Sequence, residues 1–457
     1  MEKLAIKIKK TDWKIILLAF LLLHLFALFN LKFTAWPEMT FWPYLMLKGW
    51  LPYRDIAVAH TPLLFIDLLI VYKLFGVGLW QLKIYTWALI LLTDLLLYAI
   101  VKKIWDRRTA LLSLAFYIPF QLFYEGNGLW FDLALAPMGL IIFYFLRKKE
   151  HLWAGVFWAL AFLIKQTAFW FLIPMGLMFA SGERLKKTRK FILGTAFVFL
   201  PSVLIIWALG ILPDFIYWAF RFAAGILPKA SGQVSFPVLR QLIIALMPFS
   251  ILALLPFVLK NNRKTIELSS WAIFGFLGAF PRWGLFHFQP ALPFLAVAGG
   301  LVFSRIKRLK PVLSSFLTAY VILTLILVSR FFIREWGREA RFFEPEVLKI
   351  ASYIEEKTRS NDKVYLLNAW DSVYALSETL PAVRPWIPHL AWYMELPGIQ
   401  EEIVSDLDIV RPKIIVQAEY QQTGLGSYKP KLIDDFISQH YQLDDKINGY
   451  LIFTPKK

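Results

Sequence analysis

Apolar runs close to 20 residues long recur along this chain, and short clusters of Lys and Arg separate them. A run of that length matches the hydrocarbon thickness of a bilayer when coiled as an α-helix. Basic clusters at alternate run ends set the orientation of each span, because they are retained in the cytoplasm. Of the 457 residues, 58% are hydrophobic and 17% aromatic, and the mean hydropathy is +0.56. A soluble domain is roughly 45–50% apolar, so the pattern predicts a polytopic α-helical membrane protein. The formal charge of +18 belongs to the span ends and not to a phosphate-tracking patch, which argues against nucleic acid as a partner. With no cysteine, disulfides, thiolate metal sites and thiol nucleophiles are excluded.

The charge clusters order the spans. Lys3, Lys7, Lys9, Lys10 and Lys14 precede a first run over 13–33, which reads as a retained signal-anchor with a cytoplasmic N-terminus. Returns to the cytoplasm follow at Lys102, Lys103, Arg107 and Arg108, at Arg147 to Lys149, and at Arg184 to Lys190. Further returns come at Lys260 to Lys264 and at Arg305 to Lys310. Every multi-charge cluster falls on one side with about eleven spans. The segment 153–180 divides at LIKQT into two short helices meeting near Lys165 on the outer side, and 62–76 suits an interfacial helix. From about residue 334 the composition changes. Helices at 346–357, 400–409 and 432–440 alternate with strands at 362–368, 412–418 and 450–454. The expectation is a transmembrane unit over 1–333, with a first outer loop at about 35–83, and a small extracytoplasmic α/β domain over 334–457. No glycine-rich nucleotide loop or metal-ligand spacing occurs, and there is no internal repeat of the transporter kind.

Ionisable residues on the outer side are not explained by topology. The stretch 36–62, WPEMTFWPYLMLKGWLPYRDIAVAHTP, carries Glu38, Lys48, Arg54, Asp55 and His60 among aromatic residues, and reads as the roof of a site. Glu38 is placed to take a proton from an incoming hydroxyl, or else is a helix-start carboxylate behind Pro37. Asp55 is a second acidic candidate, or an ion-pair partner of its neighbour Arg54. His60 is a helix-start residue or a phosphate donor. Glu125 and Asp132 flank two glycines in YEGNGLWFD, a pattern that permits close backbone approach or marks a plain turn. Lys165 lies inside an apolar stretch, where a cation snorkels or meets a fixed anion. Arg282, His287 and, more weakly, Arg221 repeat that placement, and several cations facing one way suggest a phosphate headgroup. His24 and Asp94, at similar depth in consecutive spans, are expected to pair inside the bundle.

The order of GWLPYRDIAVAHTPLL with LFG behind it, YEGNGLWFD, AGVFWALAFLIKQTA and HFQPALP after Arg282 resembles the GT-C superfamily of integral-membrane glycosyltransferases. The likeness is nearest to the protein O-mannosyltransferase and aminoarabinose-transferase-like branch and covers about the first 330 residues as a topology. It implies a polyprenyl-phosphate-linked sugar donor, a glycan, lipid or protein acceptor, and transfer at the outer face of the cytoplasmic membrane. Members usually bear an Asp-Glu pair in the first outer loop; here Trp36-Pro37-Glu38 stands in that place, leaving Glu38 as the equivalent acid. Lys165 is implied as the phosphate ligand, with Arg282 and His287 as further donors. The residues fix no cofactor and no metal site, and leave open whether a divalent cation helps to hold the phosphate. A transporter or flippase of a lipid-linked substrate, and a non-catalytic membrane scaffold, are the competing readings.

Overall fold

The computed structural model describes residues 12–179, 184–229, 234–259, 261–280, 282–387, 391–418 and 429–456. The basic N-terminal residues Lys3 to Lys10, and Lys260, lie outside them. Helices dominate. The first, α1 (Asp12–Asn30), leads into two short helices, α2 (Pro37–Leu47) and α3 (Leu63–Phe75), before α4 (Leu79–Ile104). Then come α5 (Arg107–Phe123), α6 (Phe131–Arg147), α7 (His151–Ile164), α8 (Leu172–Phe179) and α9 (Arg184–Ala208). The helical path 212–275 is broken into α10 (Leu212–Ile216), α11 (Leu239–Leu246), α12 (Leu255–Leu259) and α13 (Asn262–Gly275). It closes with α14 (Leu292–Ser304) and α15 (Pro311–Glu335). The last helix ends two residues past the expected domain boundary, and α4 begins four residues before the expected end of the first loop.

Six helical segments among the described residues are long and apolar enough to cross a membrane: Trp13–Asn30, Leu79–Ile104, Arg184–Ala208, Leu239–Leu259, Leu285–Ser304 and Pro311–Glu335. His151–Ile164 and Gln166–Phe179 are shorter apolar helices, split at Lys165 as the sequence suggests. Burial sorts them radially. Leu285–Ser304 is 89% buried and forms the centre, whereas Pro311–Glu335 is 11% buried and lies at the rim. Large apolar side chains such as Leu22, Phe197, Leu200 and Leu325 project outward from the rim helices. A soluble protein would not tolerate apolar patches of that extent, so these faces meet lipid. This is an integral membrane protein. With no hydrophobic drive between helices in lipid, close packing must hold them. At the α7–α9 crossing, a Cβ on Gly155 would lie 2.1 Å from the Phe191 carbonyl, and one on Gly194 2.0 Å from that of Leu152.

The two ends of the bundle differ. At one end the basic clusters gather: Arg147 reaches Glu267 at 3.0 Å, Arg308 donates to the Val258 carbonyl, and the Arg107 guanidinium lies over the Trp13 ring. The other end is capped by the C-terminal unit. That unit contains α16 (Pro345–Lys357), β1 (Lys363–Leu367), α17 (Ser372–Leu376), β2 (Leu380–Pro381), α18 (Ala391–Met394) and α19 (Ile399–Val410). It ends with β3 (Ile415–Ala418), α20 (Lys431–His440), β4 (Tyr441–Ile447) and β5 (Tyr450–Pro455). The sheet order is β2-β1-β3-β5-β4; β1 pairs in parallel with β2 and β3, and β5 runs antiparallel to β3 and β4. The expected helices and strands are all present. The short β2 and the hairpin strand β4 were not anticipated, although Asn448-Gly449, both at positive φ, is a strong hairpin-turn signal.

The cap sits directly on the 36–62 stretch. Phe41 of α2 stacks on Tyr374 at 5.1 Å and meets Trp386 edge-on at 4.8 Å. The Trp386 amide donates to the Asp55 carbonyl, and the Ala57 amide donates back to Trp386. Buried residues therefore occupy every side of α2: membrane helices lie beneath it and the α/β unit above. Deep in the bundle, His24 Nδ1 lies 2.7 Å from Asp94 Oδ2, with Nε2 3.1 Å from Gln121 Oε1, so the expected buried pair forms.

Candidate active site

Three helix ends converge at the capped end of the bundle, and each supplies one ionisable side chain. Asp132 stands in the first turn of α6, a position favoured for a carboxylate by the exposed amides there. Lys165 follows α7, where the chain leaves helical geometry at φ −154° before a 3₁₀ turn over Gln166–Phe171. His287 lies in the 3₁₀ segment Leu285–Ala291 that feeds α14. All three are buried. Lys165 Nζ donates to Asp132 Oδ2 at 2.5 Å, and His287 Nδ1 lies 2.7 Å from the same oxygen. Nδ1 is also 3.2 Å from Lys165 Nζ. With Nδ1–H given to the carboxylate, Nε2 of a neutral His287 is left as an acceptor; it donates to an anion only when protonated.

An unpaired ammonium at this depth would be costly, so Asp132 is what allows Lys165 to stay charged there. Asp132, expected as a loop or acceptor residue, is thus the common partner of the two cationic candidates. Arg282 is exposed beside them; its charge acts on both Lys165 and His287, and it has no carboxylate partner among the described residues. With Arg282 counted, the group carries more positive than negative charge.

The roof is closed by rings. Trp36 lies 5.1 Å from Trp130 and 5.2 Å from Phe286, the neighbours in sequence of Asp132 and His287. Glu38 is half-buried in the first turn of α2, two residues after Trp36. His60 packs on Phe131 at 4.2 Å. Burial, then the Lys165 ammonium, pushes its pKa down to about 3, so it stays neutral. A neutral His60 is not a charged phosphate donor. Gln166 ties the wall together, donating to the carbonyls of Ala59 and Ala219. Ala219 belongs to the helical turn Tyr217–Ile226, which also carries Arg221, an exposed residue near the site but not in contact with the cluster.

Other candidates belong elsewhere. Asp55 is not paired with Arg54; both its oxygens are held by Arg384 of the α/β unit, at 3.0 and 2.9 Å, and Oδ2 also accepts from the Leu51 amide. Burial raises its pKa, but those hydrogen bonds more than offset it and hold the carboxyl below its usual range. Its position is that of a latch between roof and cap. Arg54 instead donates to the Gly210 carbonyl and lies 3.8 Å from Asp214. The glycines beside Glu125 serve packing: a Cβ on Gly126 would meet the Gln121 carbonyl at 2.3 Å, and one on Gly128 that of Thr34 at 2.6 Å. Glu125 itself faces Lys32, Arg334, Glu335 and Arg341 in a separate small pocket.

Residues 59–207 match the model of the dolichyl-phosphate-mannose-protein mannosyltransferase family. No curated protein matches the chain. Among solved structures, ArnT from Cupriavidus metallidurans bound to undecaprenyl phosphate superposes with a TM-score of 0.64 at 12% identity, over 97% of this chain and 98% of that one. The oligosaccharyltransferase of Archaeoglobus fulgidus in its apo form gives 0.57 at 11% identity, over 98% of this chain and 75% of its own. The same enzyme, AglB, in complex with an inhibitory peptide and a dolichol-phosphate gives 0.56 at 11%, over 97% and 74%. The chain thus shares the fold of these solved structures over nearly its whole length, and a third of it matches the mannosyltransferase family model.

Proposed function

We propose that the protein transfers a sugar from a polyprenyl-phosphate-linked donor to a hydroxyl acceptor at the outer face of the cytoplasmic membrane. The observation that carries this reading is the convergence of Lys165, Asp132 and His287 at three helix ends, beside Arg282, which has no carboxylate partner among the described residues. A lipid-linked sugar keeps its tail in hydrocarbon and its phosphate at the interface, the depth at which these helices end. In this reading Lys165 and Arg282 hold the phosphate, joined by His287 when it is protonated. Glu38 takes the proton of the acceptor hydroxyl. The acceptor oxygen bonds to the anomeric carbon as the carbon–oxygen bond to phosphate breaks. The phosphate departs with the electron pair, and fixed cations stabilise the charge that develops there. That two structural neighbours bind undecaprenyl phosphate and a dolichol-phosphate supports the donor class. The positive-inside pattern supports eleven traverses, with the N-terminus in the cytoplasm and the α/β unit outside.

The test is transfer by protein in nanodiscs from radiolabelled polyprenyl-phosphate hexoses and pentoses to envelope glycans, lipids and peptides. Label should move with the wild type. Glu38→Gln should lower kcat by about 10²-fold or more while donor binding persists. Normal donor binding with no transfer to any acceptor would refute the reading.

A further inference from the structure

A second concavity, of about 430 Å³, lies in the cap, next to the roof where Phe342 meets Trp36, and it plays no part in holding the phosphate. It is lined by Arg341, Phe342, Glu344, Glu346, Trp370 and Tyr450, with Val347 and Asn448 completing the wall. Its volume falls within the range of small-molecule sites, roughly 300–1,000 Å³. We infer that this concavity is a carbohydrate subsite that holds the acceptor as a neutral or amine-bearing oligosaccharide; the inference rests on the transferase reading above.

The lining matches the chemistry of a polyol. Each sugar hydroxyl donates and accepts, so its site must offer both kinds of partner. Glu344 and Glu346 accept, Arg341 donates, and Asn448 does both. Tyr450 adds a hydroxyl that stays protonated, because burial and then the neighbouring Glu344 and Glu346 push its pKa to about 12. Glu344 and Glu346 form no ion pair among the described residues. Two carboxylates against one guanidinium favour an amine substituent and disfavour an acidic sugar. Trp370 and Phe342, 4.6 Å apart at 72°, give the carbon–hydrogen edges of a sugar ring an apolar surface.

Position strengthens the assignment. Phe342 contacts Trp36 at 5.3 Å, and Trp36 contacts Phe286, whose ring is 4.1 Å from that of His287. The Arg341 guanidinium lies over both Phe342 and Trp36. The pocket is therefore separated from the cation cluster by one layer of rings, Trp36 and Phe286. An acceptor seated there can direct its terminal hydroxyl past Trp36. Three of its eight lining residues, Arg341, Phe342 and Glu344, come from the segment between α15 and α16, and the other five from the cap itself.

Saturation-transfer NMR on the full chain in nanodiscs, without donor, tests this with chitotriose, chitosan trimer, maltotriose and cellotriose. At least one should bind, and Trp370→Ala should weaken it by about tenfold or more. Glu346→Gln, at an exposed position that leaves the fold intact, should weaken it about three- to tenfold. Binding of none, or binding unchanged in both variants, would overturn the inference. So would capture of a tri-lysine peptide in place of the sugars. If sugars bind in this pattern but the transfer assay shows no turnover, the subsite stands and the transferase reading falls.

Discussion

At the scale of single residues, burial decides what each charge can do. Lys165 is tolerated deep in the protein because Asp132 neutralises it, and Asp132 in turn is shared with His287. Lys165→Met keeps the alkyl volume but leaves Asp132 with His287 as its one ionic partner among the described residues, so it should lower the melting temperature. The protein that remains folded should bind undecaprenyl phosphate at least about tenfold more weakly in a scintillation proximity assay. An unchanged Kd would remove Lys165 from the phosphate site. His60 gives a pH signature. Its folded pKa near 3 lies below the ordinary 6.5, so between those values the unfolded chain binds the extra proton. Its contribution to stability is thus full above about pH 6.5 and is lost on acidification, at up to about 1.4 kcal/mol per pH unit. Melting in detergent between pH 7 and 5 should show a shallower fall for His60→Gln than for the wild type. The sequence marked Lys165, Arg282 and His287 as cations out of topological place. It did not mark Asp132 as their partner, because a carboxylate in a loop between aromatic residues carries no sign of which distant helix end it will face.

At the scale of elements, the two short helices and the cap form one device. A chain segment as apolar as α2 would lie on the membrane if left alone; here the α/β unit covers Phe41 and Tyr44, while Trp42 is buried against Phe65 and Phe131 on the bundle side. The Asp55–Arg384 pair locks that arrangement from the side. Arg384→Met should cost about 1–2 kcal/mol, discounted for the partial exposure of the guanidinium, and leave the Asp55 carboxylate seeking water. Hydrogen exchange should then rise in 51–58 and 382–387 but not in α5 or α14. Uniform protection would show that the latch is not a local fastener. The short helix over 63–75 and the break at Lys165 were legible, the first from its short apolar run, the second from a cation inside one. The role of Asp55 was not, since Arg54 beside it offered a simpler partner and Arg384 is 329 residues away.

At the scale of the whole molecule, charge is segregated along the bundle axis. Basic clusters collect at one end, and the cap, the cation site and the proposed carbohydrate pocket lie at the other. With no native cysteine, sidedness can be read directly. In intact spheroplasts, Ser438→Cys on the cap should react with a membrane-impermeant maleimide, and Lys148→Cys at the basic end only after permeabilisation. The reverse labelling pattern would invert the proposed orientation.

What the sequence by itself determined is one-dimensional: run length against bilayer thickness, the side to which basic clusters return, and the alternation of helix and strand after residue 334. Those follow from solvation of each segment separately, so they can be read without knowing its neighbours. Only the tertiary structure decided which charges meet. Asp132, Lys165 and His287 lie on three helices, and Asp55 and Arg384 on two units of the chain. Such pairings are fixed by packing between helix ends and beneath the cap, since the energy of a buried charge depends on what lies within a few ångströms of it and not on its place along the chain.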